Sequence, residues 1–364
     1  LPAVSGAALT GIVGATQSSS DPIVSTNPSG GVGTEWQNTT SGEVFVCTDA
    51  TAGSNVWKNV GEHSGDIKPF DPTGSSYGYH MHTVGPWGTF FRNIDKYSYT
   101  SDSNATNVGD QLAFTGGFTH AGTQGTTHGY LMGGANYPPT TNINRIERVS
   151  FSTDGNAVDV GDLTAAKHGT TGHTNNARSY GYCTGGNSGS QINVIEKFLM
   201  TSSANATDVG DLLDTAYHSG GADGDNYGYV FGAPAVSPSA QKIQKFSYTS
   251  DSNSTFVSNM VSGTTTGASR CSNNGEKVLI YGANNATDID VFYFASEANA
   301  VDFGQDRFHD FSDGGASSSS THAYMSGGNY VTTIAKILWA GSAVATDVAD
   351  LTHPSGDRPG GFHY

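Results

Sequence analysis

Aspartate recurs at one place in a repeated phrase of this chain, at Asp110, Asp162, Asp211 and Asp350. Carboxylates so spaced could ligate calcium, a hard cation that takes six to eight oxygen ligands. Aspartate also accepts local backbone hydrogen bonds and turns the chain between strands. No Asp-x-Asp-x-Asp-Gly loop favours the metal, so turns are expected, with no metal site and no cofactor. Three histidines, His168, His218 and His309, align at one position of a Gly-rich segment, where a ring of imidazoles could bind a metal or respond to pH. Duplication of an ancestral repeat produces the same alignment, with each imidazole simply hydrogen-bonded. His80 and His82 form a His-x-His pair on one face of a strand, but two ligands do not make a site. Catalytic patterns are missing: no Gly-x-Ser-x-Gly elbow, phosphate-binding loop or His-Glu-x-x-His occurs. The chain is therefore expected not to be an enzyme, although a pair of glycosidase carboxylates among its 32 acidic residues is not something sequence can locate.

The elements that must position these residues come from an internal repeat of about 45 to 52 residues, a period typical of propeller blades. Its full form is Asn104-Ala-Thr-Asn-Val-Gly-Asp110, Asn156-Ala-Val-Asp-Val-Gly-Asp162 and Asn205-Ala-Thr-Asp-Val-Gly-Asp211. Three degraded copies begin at Asn253, Asn299 and Val344, making six. Strand-like runs beginning at Ile94, Ile146, Ile195, Ile243, Ile289 and Ile334 precede the phrase, and an aromatic-Gly segment such as Tyr180-Gly-Tyr-Cys-Thr-Gly-Gly186 precedes each run. With a Gly-rich stretch such as Lys167 to Gly172, each unit reads as four short strands. Sequons at Asn104, Asn205 and Asn253 share one repeat position, which duplication explains better than selection for glycans.

From about residue 75 to 364 the Tyr-x-x-Gly-Gly segment and the Ile-x-Lys-Phe strand resemble the kelch repeat, without its usual tryptophan in the last strand. The resemblance implies an all-β fold, a six-bladed kelch-like β-propeller over 71–364 with four-stranded blades. The first unit, starting at Tyr77, lacks an inner strand, and the chain ends on an unpaired inner-strand segment, Gly356 to Tyr364. Residues 355–364 are therefore expected to supply the innermost strand of the first blade, since an open end leaves unprotected sheet edges.

Composition agrees with short strands and tight turns: 49 glycines in 364 residues, only 13% charged. A formal net charge of −16 repels phosphate backbones, so no nucleic-acid partner is expected. No run is long and apolar enough to span a bilayer, and no membrane insertion is expected. Three cysteines in unrelated contexts make neither a disulfide framework nor a zinc site. Leu1 in place of Met implies a processed chain or part of a longer one.

Residues 1–33, rich in Ser, Gly, Thr and Pro, read as a linker or extended attachment segment, and 34–70 as a small β-hairpin module built on Glu43 to Cys47 and Asn55 to Val60. A lone hairpin is marginal, a motive for self-association. Here the sequence resembles bacteriophage tail-fibre and appendage proteins, in Leu1-Pro-Ala-Val-Ser-Gly-Ala-Ala-Leu-Thr-Gly-Ile12, in Gly42 to Trp57 and in the phrase at 205 to 212. The resemblance implies a virion protein, a homo-oligomer of fibre-like, trimeric order, joined to other virion proteins through its N-terminal module. Its propeller would contact a host cell-surface glycan or protein, with Asn136, Tyr137 and Ser237 as loop contacts. A head-decoration or filament subunit and an extracellular polysaccharide-active enzyme are the competing expectations.

Overall fold

A computed structural model describes residues 15–60, 71–74, 76–112, 117–118, 120–136, 141–232, 241–261, 270–281, 288–305, 314–341, 344–356 and 359–363. The regular elements of these residues are strands, apart from the 3₁₀ turn Pro86–Gly88 and 3₁₀ geometry at Gln241. The chain divides into two compact units, Leu1–Phe70 and Asp71–Tyr364.

In the first unit the expected hairpin, Val44–Asp49 with Val56–Asn59, is half of a four-stranded sheet. Glu35–Asn38 flanks it, and Thr16–Ser18, from the segment expected to be a linker, adds a parallel edge strand. Alternation places Phe45, Cys47 and Trp57 on one fully buried face, with Trp36 packed edge-on at 5.9 Å from Trp57. Side-chain bonds from Asn38 to Asp21 and from Asn55 to Asn27 tie the preceding segment to that sheet. A Ser- and Gly-rich composition hides such ties because its polar side chains, not an apolar pattern, make them.

The second unit holds six four-stranded antiparallel sheets, numbered here by their third strands: Asn93–Ser98, Arg145–Ser150, Val194–Leu199, Lys242–Ser247, Asp288–Tyr293 and Val331–Leu338. In sheets two to six the four strands follow chain order. Sheet one takes its first strand from the opposite end of the chain, Gly361–His363, paired with Tyr77–Met81 through Gly361↔His80 and His363↔Gly78. The other first strands are Ala121–Gln124, Thr171–Thr174, Gly220–Asp223, Arg270–Asn273 and Gly315–Ser318. Each adjoins the next, and Gly361–His363 adjoins both Gly315–Ser318 and Ala121–Gln124. A three-stranded sheet of Gly117–Phe118, Ala135–Asn136 and Thr141–Asn142, unexpected from the repeat, accompanies sheet two.

The repeated residues have identifiable physical tasks. Second strands are buried along both faces, and the glycine after the aromatic lies under a ring from the third strand, as Gly78 does under Tyr97 and Gly228 under Phe246. The Gly-Gly pair is left-handed: Gly185 and Gly186 have φ of 61° and 105°, conformations that favour glycine. The second glycine then donates to the connection leading into the next sheet, as Gly186 does to the Ala216 carbonyl at 2.7 Å. Every outer strand pairs through a bulge located after the Ile of the third strand, for example between Ile195 and Glu196. An Asx turn shapes it, with Asp208 accepting from the Gly210 amide at 3.1 Å. Such bulges twist an edge away from pairing with other chains.

Two polar ties link neighbouring sheets. The leading Asn of the phrase accepts the amide of the preceding sheet's outer strand: Asp110 to Asn156, Asp162 to Asn205, Asp211 to Asn253, Asn259 to Asn299, and, from sheet six to sheet one, Asp350 to Asn104. The acid or amide after the third-strand Ile accepts another amide: Leu112 to Glu147, Thr164 to Glu196, Leu213 to Gln244, Val261 to Asp290 and Thr352 to Asp95. At the junction of sheets five and six these positions are Val344 and Ala335, which have no side-chain acceptor. Apolar packing takes over there: Leu279, Tyr281, Ile289 and Val291 share one cluster with Met325, Ala335, Ile337 and Trp339. Val344 is 61% exposed, so asparagine fits at its site. Val344→Asn is expected to add roughly 0.5 to 1.5 kcal/mol of stability by restoring the tie, read as a raised urea midpoint. An unchanged or lowered midpoint would show that the asparagines are passive consequences of duplication.

Candidate recognition surface

The sheets of the second unit have two dissimilar ends. At the turn end lie the links between first and second strands and between third and fourth. At the loop end lie the links between second and third strands and the connections from one sheet to the next. The chain enters this unit at the turn end. Gly74 bridges Ser319, the Arg178 guanidinium donates to the carbonyls of Asp71 and Thr73, and His363 donates to that of Pro72.

The expected contact Asn136 lies at the loop end, half-buried at the close of the strand Ala135–Asn136, with its Oδ1 buried and lacking a hydrogen-bond partner. Tyr137 and Ser237 fall outside the described residues. Across from Ala135 in the same small sheet, Asn142 donates to the Asn187 carbonyl at 2.9 Å, and its Oδ1 lies 2.7 Å from His168 Nδ1. His168 Nε2 lies 3.0 Å from the Tyr217 hydroxyl, and the Tyr217 ring stacks on His218 at 3.6 Å. Side chains from the small sheet and from the connections leading into sheets three and four thus form one polar and aromatic strip. Burial holds the His168 imidazole below its ordinary range, so it is neutral at neutral pH.

The expected histidine alignment does not survive in three dimensions. His168 stands three residues before its first strand and His218 two, so the structural counterpart of His168 is Tyr217 and that of His218 is Gly169. Backbone geometry agrees: Gly169 has φ +68° and His218 φ +59°. Left-handed backbone at a non-glycine residue is uncommon and recurs at functional sites. Both His168 nitrogens have partners within the protein, so it is a strip member and not a metal ligand. His309 lies outside the described residues. His80 and His82 do touch, at 4.8 Å between rings, but as core residues: His80 bonds Ser326 and His82 bonds Asp95. The turn-forming role expected of Asp110, Asp162 and Asp211 belongs instead to the residue three places before each, Asn107, Asp159 and Asp208.

Where the first strands converge, their second residues are Gly122, Gly172, Gly221, Cys271 and Ala316, joined by Gly361, the first residue of the C-terminal strand. A methyl group on Gly172 would collide with the Gly122 carbonyl, so these backbones nearly touch. They separate two cavities. The one towards the loop end, about 80 Å³, is lined by His120, Thr170, Ser219 and Arg270. The one towards the turn end, about 70 Å³, is lined by Gln124, Asp223, Asn273, Ser318 and His363. Each has room for two or three waters or a small ion, far less than a sugar ring. Among the described residues no three of His, Cys, Asp and Glu gather as a metal-binding group. No protein-family model matches the sequence, and neither does any curated protein.

Proposed function

We propose that residues 71–364 form a six-bladed kelch-like propeller closed by the C-terminal strand. We further propose that the chain is a non-enzymatic virion subunit, of a bacteriophage tail fibre or appendage, that displays this propeller for host-surface glycan recognition. The propeller reading is supported by six equivalent sheets whose first strands adjoin in an unbroken cycle. The recognition reading rests on one observation above the rest. The end opposite the entering chain carries a strip of Asn136, Asn142, His168, Tyr217 and His218, in which aromatic rings lie beside amide and imidazole groups. That combination suits sugars, which offer an apolar ring face to an aromatic and hydroxyls to amides. A charge of −16 favours neutral over acidic polysaccharide.

The test has two parts. A label after Tyr364, imaged on purified particles, is expected at the distal end of a fibre; label over the head supports the decoration reading instead. On an array of immobilised neutral hexose and N-acetylhexosamine oligosaccharides, the full chain is expected to bind. Tyr217→Ala with Asn136→Ala should weaken that binding at least tenfold, about the 1.4 kcal/mol of one lost contact. Equal binding by wild type and variant would remove the strip from the proposal.

A further inference from the structure

We propose that the cavity towards the turn end is a calcium site, built on the Asp223 carboxylate and the Asn273 amide oxygen. The cavity holds about 70 Å³, enough for one ion with a water or two. Its lining offers hard oxygen ligands: Asp223 and Asn273, the Ser318 hydroxyl, which also accepts from the Asn273 backbone amide, and the Gln124 amide. Both principal ligands are more than nine-tenths buried, at 7% and 9% exposure. The Asn273 Oδ1 is buried with no hydrogen-bond partner, a costly arrangement in the absence of a ligand. Asp223 uses Oδ1 to accept from Tyr248 at 2.5 Å, with His173 Nδ1 at 3.4 Å, which leaves Oδ2 for a ligand. Fourth-position residues of neighbouring first strands bring Asp223 and Asn273 together, since each strand is four residues long and the two strands adjoin.

Carboxylate, amide and hydroxyl oxygens are calcium's ligands, whereas zinc and copper take nitrogen and sulfur. With a single carboxylate, and with the Arg178 guanidinium close enough to interact with it, affinity belongs at the weak end of the calcium range, near 10⁻³ M. This site is distinct from the repeated outer aspartates and independent of any host ligand.

The full chain is melted in 10 mM calcium chloride and in sodium chloride of equal ionic strength. Calcium is expected to raise the wild-type midpoint by roughly 2 to 4 °C. Asp223→Asn is expected to abolish the shift. Asn273→Asp adds a second carboxylate and is expected to tighten calcium binding at least tenfold by calorimetry. Should Asp223→Asn fail to fold, Asn273→Leu, which removes the amide oxygen without adding charge, is expected to abolish the shift in its place. An equal shift in sodium chloride, a shift retained by Asp223→Asn, or no gain in Asn273→Asp overturns the assignment.

Discussion

Removal of residues 359–364 is expected to abolish cooperative folding of the whole second unit. The strand Gly361–His363 contributes more than three ladder residues. Phe362 is 1% exposed and packs at 5.3 Å from Tyr79 and 5.8 Å from Phe151, so it joins the cores of sheets one and two. His363 is bonded to the entering chain at Pro72 and lies 3.1 Å from the Gln124 amide. Deletion exposes the buried second strand Tyr77–Met81 as an edge and opens a gap between Gly315–Ser318 and Ala121–Gln124. Phe362→Ala alone should cost about 3 to 5 kcal/mol, the usual range for a buried phenylalanine. Circular dichroism and urea titration of the truncated chain check this. A truncated protein with a sharp transition at an unchanged midpoint would mean that sheet one closes without its C-terminal strand.

Acid is expected to destabilise the second unit steeply, well above the pH at which carboxylates titrate. Burial holds three imidazoles neutral. His120 is lowered to about 4 by burial and by the Arg270 charge, and His363 to about 4 by burial and by Arg178. His80 lies well below its ordinary value through burial and the neighbouring His82. Unfolded, each protonates near 6.5. Between about 6.5 and 4 the unfolded chain therefore binds more protons than the folded one, and stability falls with pH through that window. Each histidine contributes roughly 1.4 kcal/mol per pH unit at full effect, so three together approach about 4 kcal/mol per unit. Glu147, whose pKa burial raises, works weakly in the opposite direction. Asp95 adds a further loss only at lower pH. Bonds from His82 and Thr352 outweigh its burial and keep its pKa below the usual 3.8. Urea midpoints at pH 7.5, 6 and 5 should decline progressively. A flat profile would falsify the burial of these imidazoles away from bulk solvent.

Much of the fold was legible in the residues. The period of the repeat, the alternation within the strands beginning at Ile94 through Ile334, and the Gly-Gly stops determine where strands form and that six similar sheets arise. These are local properties, dictated by side-chain period and by glycine's freedom at positive φ, so sequence reports them directly. The unmatched ends of the repeat region also pointed to the pairing of Gly361–His363 with Tyr77–Met81, because each lacked the strand that the other could supply.

The candidate strip was legible only in fragments. Asn136 was visible as a loop residue, but Asn142 is in the strand paired with its own, and His168 and Tyr217 come from two later connections. Aligning His168 with His218 by residue type misplaced both by one position, since connection length, not residue identity, sets their register. Contacts between sheets were likewise decided only in three dimensions. A sequence repeats Asn, Asp and Glu without saying whether they turn their own strand or reach the next one. The asparagine of the repeated phrase reaches across to the neighbouring sheet, the residue three places on shapes its own bulge, and the acid or amide after the Ile, in every sheet but the sixth, accepts a neighbour's amide. The two cavities also exist only through convergence of the first strands. Local periodicity determines each strand, whereas the distances between strands from different repeats depend on how whole sheets pack.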